Sequence, residues 1–176
     1  FKGLAIEQLE TEWAEHAVLH LDLNAEKYTA PEDLTNILDT YLREWEEKYE
    51  STEKENPSLS QRFRSVIRAA KQKTGRNVVV LVDEYDKPML QAIGNEELLT
   101  EYRNTLKAFY GTLKSCDRYI KFALLTGVTK FSKISVFSDL NNLMDISMSD
   151  RFATICGITE NELHCNFKED IIELGQ

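Results

Sequence analysis

Cysteine is scarce and unpatterned: Cys116, Cys156 and Cys165 are odd in number, and no two of them stand in a C-x-x-C pair. That excludes a disulfide framework and a cysteine-built zinc site, and leaves reduced thiols in the core or on the surface. Long apolar runs are missing too, none reaching the length a bilayer crossing needs, and the opening FKGLAIEQLE has no signal-peptide profile. A cytoplasmic protein without membrane contact is expected. Positive charge is in deficit: 21 Lys and Arg against 30 Asp and Glu leave a formal charge of −9, which argues against a broad nucleic-acid or anionic-membrane surface. Internal repeats and low-complexity stretches are absent as well.

What is present is globular in character. With 42% hydrophobic and 10% aromatic residues, the 176 residues have the size and composition of one domain, residues 1–176, with a substantial core. Residues 77–88, NVVVLVDEYDKP, are the most telling stretch, because an unrelieved apolar run at 78–82 meets Asp83 and Glu84 abruptly. A run this short and β-branched predicts a strand buried on both faces, in the middle of a parallel sheet with helices on either side. Ligands bind at the C-terminal edge of such sheets, so a carboxylate pair there is well sited to hold a metal ion and to orient a water. The bland alternative is a strand whose acids only mark the exit into solvent.

The rest of the chain alternates. Leu4, Leu9 and Trp13 suggest a helix over residues 1–15, and the alternation in VLHLDLN predicts a more polar strand over 18–24, nearer a sheet edge. Thr29 with Glu32 makes a capping box, with Pro31 in the first turn, ahead of an amphipathic helix through Leu34, Leu38, Leu42, Trp45 and Tyr49. The charged segment 46–58, with Pro57, is read as a frayed helix end and a loop. A second helix follows over 58–74, capped by Gly75, and its outer side carries Arg64, Arg68 and Lys71, a solvated face rather than a nucleic-acid surface. Beyond the 78–82 strand come a helix over 95–114, a buried strand over 120–126 ending in Thr126, a short strand over 143–147, and a helix over 159–167 opened by Thr159 and Glu162. This order predicts an α/β fold with a parallel sheet flanked by helices.

Two buried strands, one ending in Asp83 and Glu84 and the next in Thr126, resemble the later part of the additional-strand class of P-loop ATPases. LVDEYDKPML, LKAFYGTLK, LLTGVTKFSKISVFSDLNNLMDIS and FATICGITENEL resemble more narrowly a predicted AAA-ATPase-like family of bacterial proteins, whose members often carry a restriction-endonuclease-like domain C-terminally. The resemblance implies an ATP-binding and ATP-hydrolysing module, with Asp83 as the Mg²⁺ carboxylate of a Walker B strand, Glu84 as the water-orienting residue and Thr126 as sensor 1. Asp86, Lys87 and Lys130 lie in family-like wording without an assigned role. Family members begin with a Gly-rich loop ending in Gly-Lys-Ser/Thr, whereas none of the seven glycines here makes G-x-x-x-x-G-K-[ST]. Residues 1–13 resemble the stretch that follows the loop's helix. The expectation is a fragment lacking the Walker A strand and loop, ATPase-active as part of its parent but not alone.

Two other classes compete with this reading. A non-catalytic interaction module would keep the fold without turnover. A metal-dependent nuclease would use Asp83, Glu84, Asp86 and Lys87, but Lys87 is one residue out of the Glu-x-Lys step and Pro88 would end a strand there. Arg118 and Arg151 are candidate arginine fingers or ordinary surface charges. His16 and His20 have no second ligand at metal spacing and read as satisfied histidines. Met144 and Met148 read as core filler.

Overall fold

The computed structural model describes residues 1–52, 57–128, 142–155 and 157–175, so Lys130, Cys156 and the middle of the charged 46–58 segment lie outside the described residues. The chain divides into two compact units, Phe1–Asn141 and Asn142–Gln176.

The first unit is built on three parallel strands, β1 (Val18–Asp22), β2 (Val78–Asp83) and β3 (Ile120–Leu125), in the order β1-β2-β3. β2 therefore pairs on both edges, whereas β3 pairs on one edge only among the described residues. β1 is an edge strand, as its polar content predicts. Leu19 and Leu21 on β1 and Val78, Val80 and Val82 on β2 are buried and share one face. Against them lie the apolar stripes of α2 (Pro31–Tyr49), α3 (Leu59–Thr74) and α5 (Glu96–Ser115). Phe63 of α3 is the hub of this layer, stacked on Phe109 at 4.4 Å between ring centroids and tilted against Trp45 at 5.9 Å.

The other face of the sheet departs from expectation. Val18, Val79 and Phe122 stand in register across the three strands, and Val18 and Phe122 are 42% and 53% exposed. The apolar run of β2 thus buries every second residue fully and leaves Val79 and Leu81 partly covered. β3 is no buried strand either, since none of its residues is fully buried. A bulge contributes to this: Val78 and Val79 face Ile120 and Phe122, so Lys121 is an extra residue, and all of α2, α3 and α5 serve the opposite face.

Several boundaries also move. The first helix, α1, is only Ile6–Leu9, with no buried residue, because the apolar side chains of 1–13 find no core to face. The cap of α2 is shifted by one residue: Ala30 is the N-cap, and Asp33, not Glu32, accepts from the amides of Thr29 and Ala30 at 2.7 and 2.8 Å. These amide bonds hold the Asp33 carboxyl below its ordinary range. A short helix, α4 (Lys87–Gln91), stands between β2 and α5, where no element is expected from the sequence; Pro88 sits in its first turn, where its missing N–H costs nothing.

The second unit has no strand among its described residues, and 143–147 are irregular where a strand was expected. It carries α6 (Glu160–Asn166), opened by the Thr159 and Glu162 capping box that the sequence predicts, and α7 (Lys168–Leu174). Met144 and Met148 are 72% and 81% exposed, so they are not core filler within this unit.

Candidate functional site

The C-terminal edge of the sheet gathers the residues singled out above. Asp83 is the last residue of β2 and is exposed; Thr126 follows the last residue of β3 and is exposed as well. The two are neighbours because β2 and β3 are parallel and in register at this end, Val82 facing Leu125. Thr126 N–H donates to the Val82 carbonyl at 2.9 Å, extending the ladder by one rung. Its hydroxyl donates to the Asp83 carboxylate.

Glu84 is half-buried and turns the chain out of the sheet with φ +55°, one of three described non-glycine residues with positive φ. A left-handed glutamate costs about 1–3 kcal/mol and persists only where the surroundings over-determine it. Here they do: Tyr85 N–H donates to the Thr126 carbonyl and Lys87 N–H to the Glu84 carbonyl, both at 2.9 Å. Periodicity gives no sign of such a turn. Its effect is to leave Asp83 and Glu84 consecutive in sequence but on different backbone courses, one ending the strand and the other opening the turn.

Two further carboxylates belong to this edge; sequence reasoning left Asp22 without a role and gave Asp86 one only in the nuclease alternative. Asp22 ends β1 in register with Asp83, so the two acids stand on adjacent strands. Asp22 accepts from its own Asn24 amide at 2.8 Å, an ordinary turn bond. The alternation of VLHLDLN gave the strand, but the register that sets Asp22 beside Asp83 is a tertiary fact. Asp86 is completely buried, the only charged residue so placed among those described. Lys87 belongs to α4, and β2 has already ended at Asp83, so the strand-borne carboxylate and Glu-x-Lys arrangement of a nuclease is not formed.

The other candidates within the first unit lie elsewhere. Arg118 precedes β3, at the N-terminal end of the sheet, about 20 Å from Thr126 for a strand of this length, and its guanidinium stacks over Tyr119 at 4.6 Å. Arg151, in the second unit, stacks over Phe152 at 5.5 Å. His16 Nδ1 is 2.6 Å from the Asn77 carbonyl, a satisfied histidine. The open hollow of about 680 Å³ lined by Trp13, His16, Tyr49 and Arg76 is likewise at the N-terminal end of the strands. Cys116 is buried, which pushes its thiol up, and Cys165 is exposed; neither belongs to a group of three or more His, Cys, Asp or Glu side chains among the described residues.

The donor chemistry at the C-terminal edge narrows what can be held there. No group of three or more His, Cys, Asp or Glu side chains among the described residues could hold a metal alone. An exposed Asp83 with Glu84 beside it fits an ion that takes one or two protein carboxylates and fills its remaining positions with water and phosphate oxygens, as Mg²⁺ does.

A family model described as "Predicted AAA-ATPase" matches residues 1–137. A relative from Azotobacter chroococcum mcd 1, described as "Uncharacterized protein in vnfD 5'region", is 37% identical over 174 residues. That alignment covers 97% of this chain and 33% of the relative, so the chain spans about a third of the relative's length. No solved structure matches the chain.

Proposed function

We propose, because this chain belongs to the predicted AAA-ATPase family, that it is the Walker B and sensor 1 part of an ATP-binding and ATP-hydrolysing module of the P-loop, additional-strand class. The observation that carries this reading is the Thr126 hydroxyl resting on the Asp83 carboxylate at the C-terminal edge of adjacent parallel strands. Asp83 is the residue that would hold Mg²⁺, which when bound to the nucleotide neutralises charge on the phosphate oxygens. Glu84 orients the attacking water and takes up its proton. Thr126 offers a hydroxyl that can pass from Asp83 to a phosphate oxygen or to that water.

The chain itself contains no G-x-x-x-x-G-K-[ST] run. The backbone amides and lysine that cradle a triphosphate are therefore read as coming from sequence outside these residues. The longer relative supports a parent with room for them and for a partner domain, for which a nuclease-like fold is our expectation. In that reading, turnover of Mg-ATP drives or gates the partner.

The test is steady-state ATP hydrolysis by the full-length protein beside its Glu84→Gln variant. Mg-dependent hydrolysis by the parent, slowed about 10²-fold or more in the variant with nucleotide binding nearly intact, is the expected result. A variant as fast as the parent removes Glu84 from the chemistry. Nucleotide binding by the parent without turnover favours the non-catalytic interaction module.

A further inference from the structure

Asp86 is a buried carboxylate with an unusual seat. It stands at the N-cap of α4, yet its side chain caps nothing there. Its Oδ1 instead accepts from the backbone N–H of Val128, at 3.3 Å, across the gap between the ends of β2 and β3. Gly127 lies directly beneath: a Cβ on residue 127 would come within 2.6 Å of Asp86 Oδ1, 2.9 Å of its Cγ and 2.7 Å of Tyr85 Cε1. Gly127 is not among the glycines with positive φ, so its missing side chain serves this close approach and not a left-handed turn.

The seat matters because of what precedes it. Thr126 lies beyond the last residue of β3, is exposed, and is followed by the most flexible residue type there is. The sheet fixes its N–H through Val82, and the Glu84 turn fixes its carbonyl through Tyr85. Without a third anchor after residue 127, rotation about the glycine would let the strand end fray. Burying a carboxylate is costly, and the bond to Val128 N–H is one of the interactions that offset that cost.

We propose that Asp86 is a positioning residue: it clamps the backbone of residues 127 and 128 and so holds the Thr126 hydroxyl against Asp83 and beside Glu84. The catalytic half of this inference rests on the ATPase reading above; the clamp itself does not. Asp86 touches no reacting atom in this scheme and acts through Thr126.

The experiment compares full-length Asp86→Ala, Asp86→Asn and Val128→Pro with the parent in two measurements. The first is backbone amide exchange over residues 126–128 without nucleotide; the second is kcat and KM for Mg-ATP. Asp86→Ala should speed exchange in that segment by about tenfold or more, with exchange in α2 unchanged, and should lower kcat by about tenfold or more with KM within about threefold. Asp86→Asn keeps a carbonyl oxygen for Val128 N–H and should recover most of both. Val128→Pro deletes the donor at an exposed position, so it reports even if Asp86→Ala does not fold; it should speed exchange at Thr126 and lower kcat in the same way. Unchanged exchange in Asp86→Ala or Val128→Pro overturns the clamp, and so does an Asp86→Asn as impaired as Asp86→Ala. Faster exchange with kcat unchanged overturns the positioning role. A parent protein that hydrolyses no ATP, together with faster exchange in the variants, upholds the clamp and sinks the ATPase reading.

Discussion

The hydroxyl of Thr126 donates to the carboxylate of Asp83, across two strands whose sequences are separated by the whole of α4 and α5. With nothing else bound, that bond satisfies the hydroxyl and uses one carboxylate oxygen. A ligand that takes up the other Asp83 oxygen leaves it intact, whereas one that needs the hydroxyl must compete with it. Thr126→Val in the full-length protein should therefore lower kcat for Mg-ATP by about tenfold or more with nucleotide affinity changed by less than about threefold, and Thr126→Ser should keep most of the activity. Turnover by Thr126→Val at the parent rate would remove the sensor role.

Gly127→Ala should destabilise the protein even though the backbone there tolerates alanine. The new methyl would meet the Asp86 carboxylate and the Tyr85 ring well inside contact distance, and both belong to a packed turn. Overpacking of this kind costs about 1–3 kcal/mol, equivalent to a fall of roughly 2–12 °C in melting temperature for a chain of this size. Thermal unfolding followed by circular dichroism measures it; a melting temperature equal to the parent's would mean that the turn yields freely.

The isolated chain should not bind ATP usefully. Asp83 and Glu84 bring negative charge to the sheet edge, and no glycine-rich anion cradle occurs within these residues to offset it. Calorimetric titration of the 176-residue chain with a non-hydrolysable Mg-ATP analogue should give no heat of binding, with or without EDTA. Micromolar, Mg-dependent binding would show that the phosphate site is built from residues described here.

An acid-sensitive tie joins α2 to α3. Arg62, mostly buried, donates from Nε and Nη2 to Glu46 at 2.7 and 2.8 Å and from Nη1 to Asp39 at 2.5 Å. The bond from Arg62 holds the Asp39 carboxyl below its ordinary range, and Glu46 is the main cause that raises Arg62. A carboxyl depressed in the folded state contributes stability that is present above its unfolded pKa, about 4, and lost as pH falls through the folded value. Urea midpoints measured from pH 6 to pH 3 should decline less steeply in Asp39→Asn than in the parent. Arg62→Met should cost about 1–3 kcal/mol at pH 7, because two carboxylates lose a charged donor. Identical pH slopes would rule Asp39 out as a source of acid lability.

The parts of this site legible in the sequence are those that local pattern controls. The run at 78–82 gave β2, the change to charge at Asp83 gave its C-terminal edge, and the IKFALL run marks equally well the strand that Thr126 follows. Their adjacency followed from parallel topology. The seat of Asp86 was not legible, because its burial depends on the approach of Gly127 from a strand far along the chain. Neither was the left-handed backbone of Glu84, which tertiary hydrogen bonds impose on a residue that does not favour it. The incompletely covered row of Val18, Val79 and Phe122 was misread for a related reason: a short apolar run reports that a strand is apolar on both sides, not that both sides are covered.

Parallel pairing has a kinetic side. No tight turn can join β1 to β2 or β2 to β3, so each pair closes only after the crossovers 23–77 and 84–119 have folded back. Loop-closure entropy is then spent before any strand contact repays it, and pairing of this kind is slow. The Thr126 hydroxyl reaches Asp83 only when the second crossover is complete, which makes this contact one of the last to form. Substitutions at Asp83 or Thr126 should then leave the refolding rate nearly untouched and appear, if at all, in the rate of unfolding. The contact at the sheet edge comes into being only once the second crossover is in place, and a chain arrested earlier has its helices without that contact.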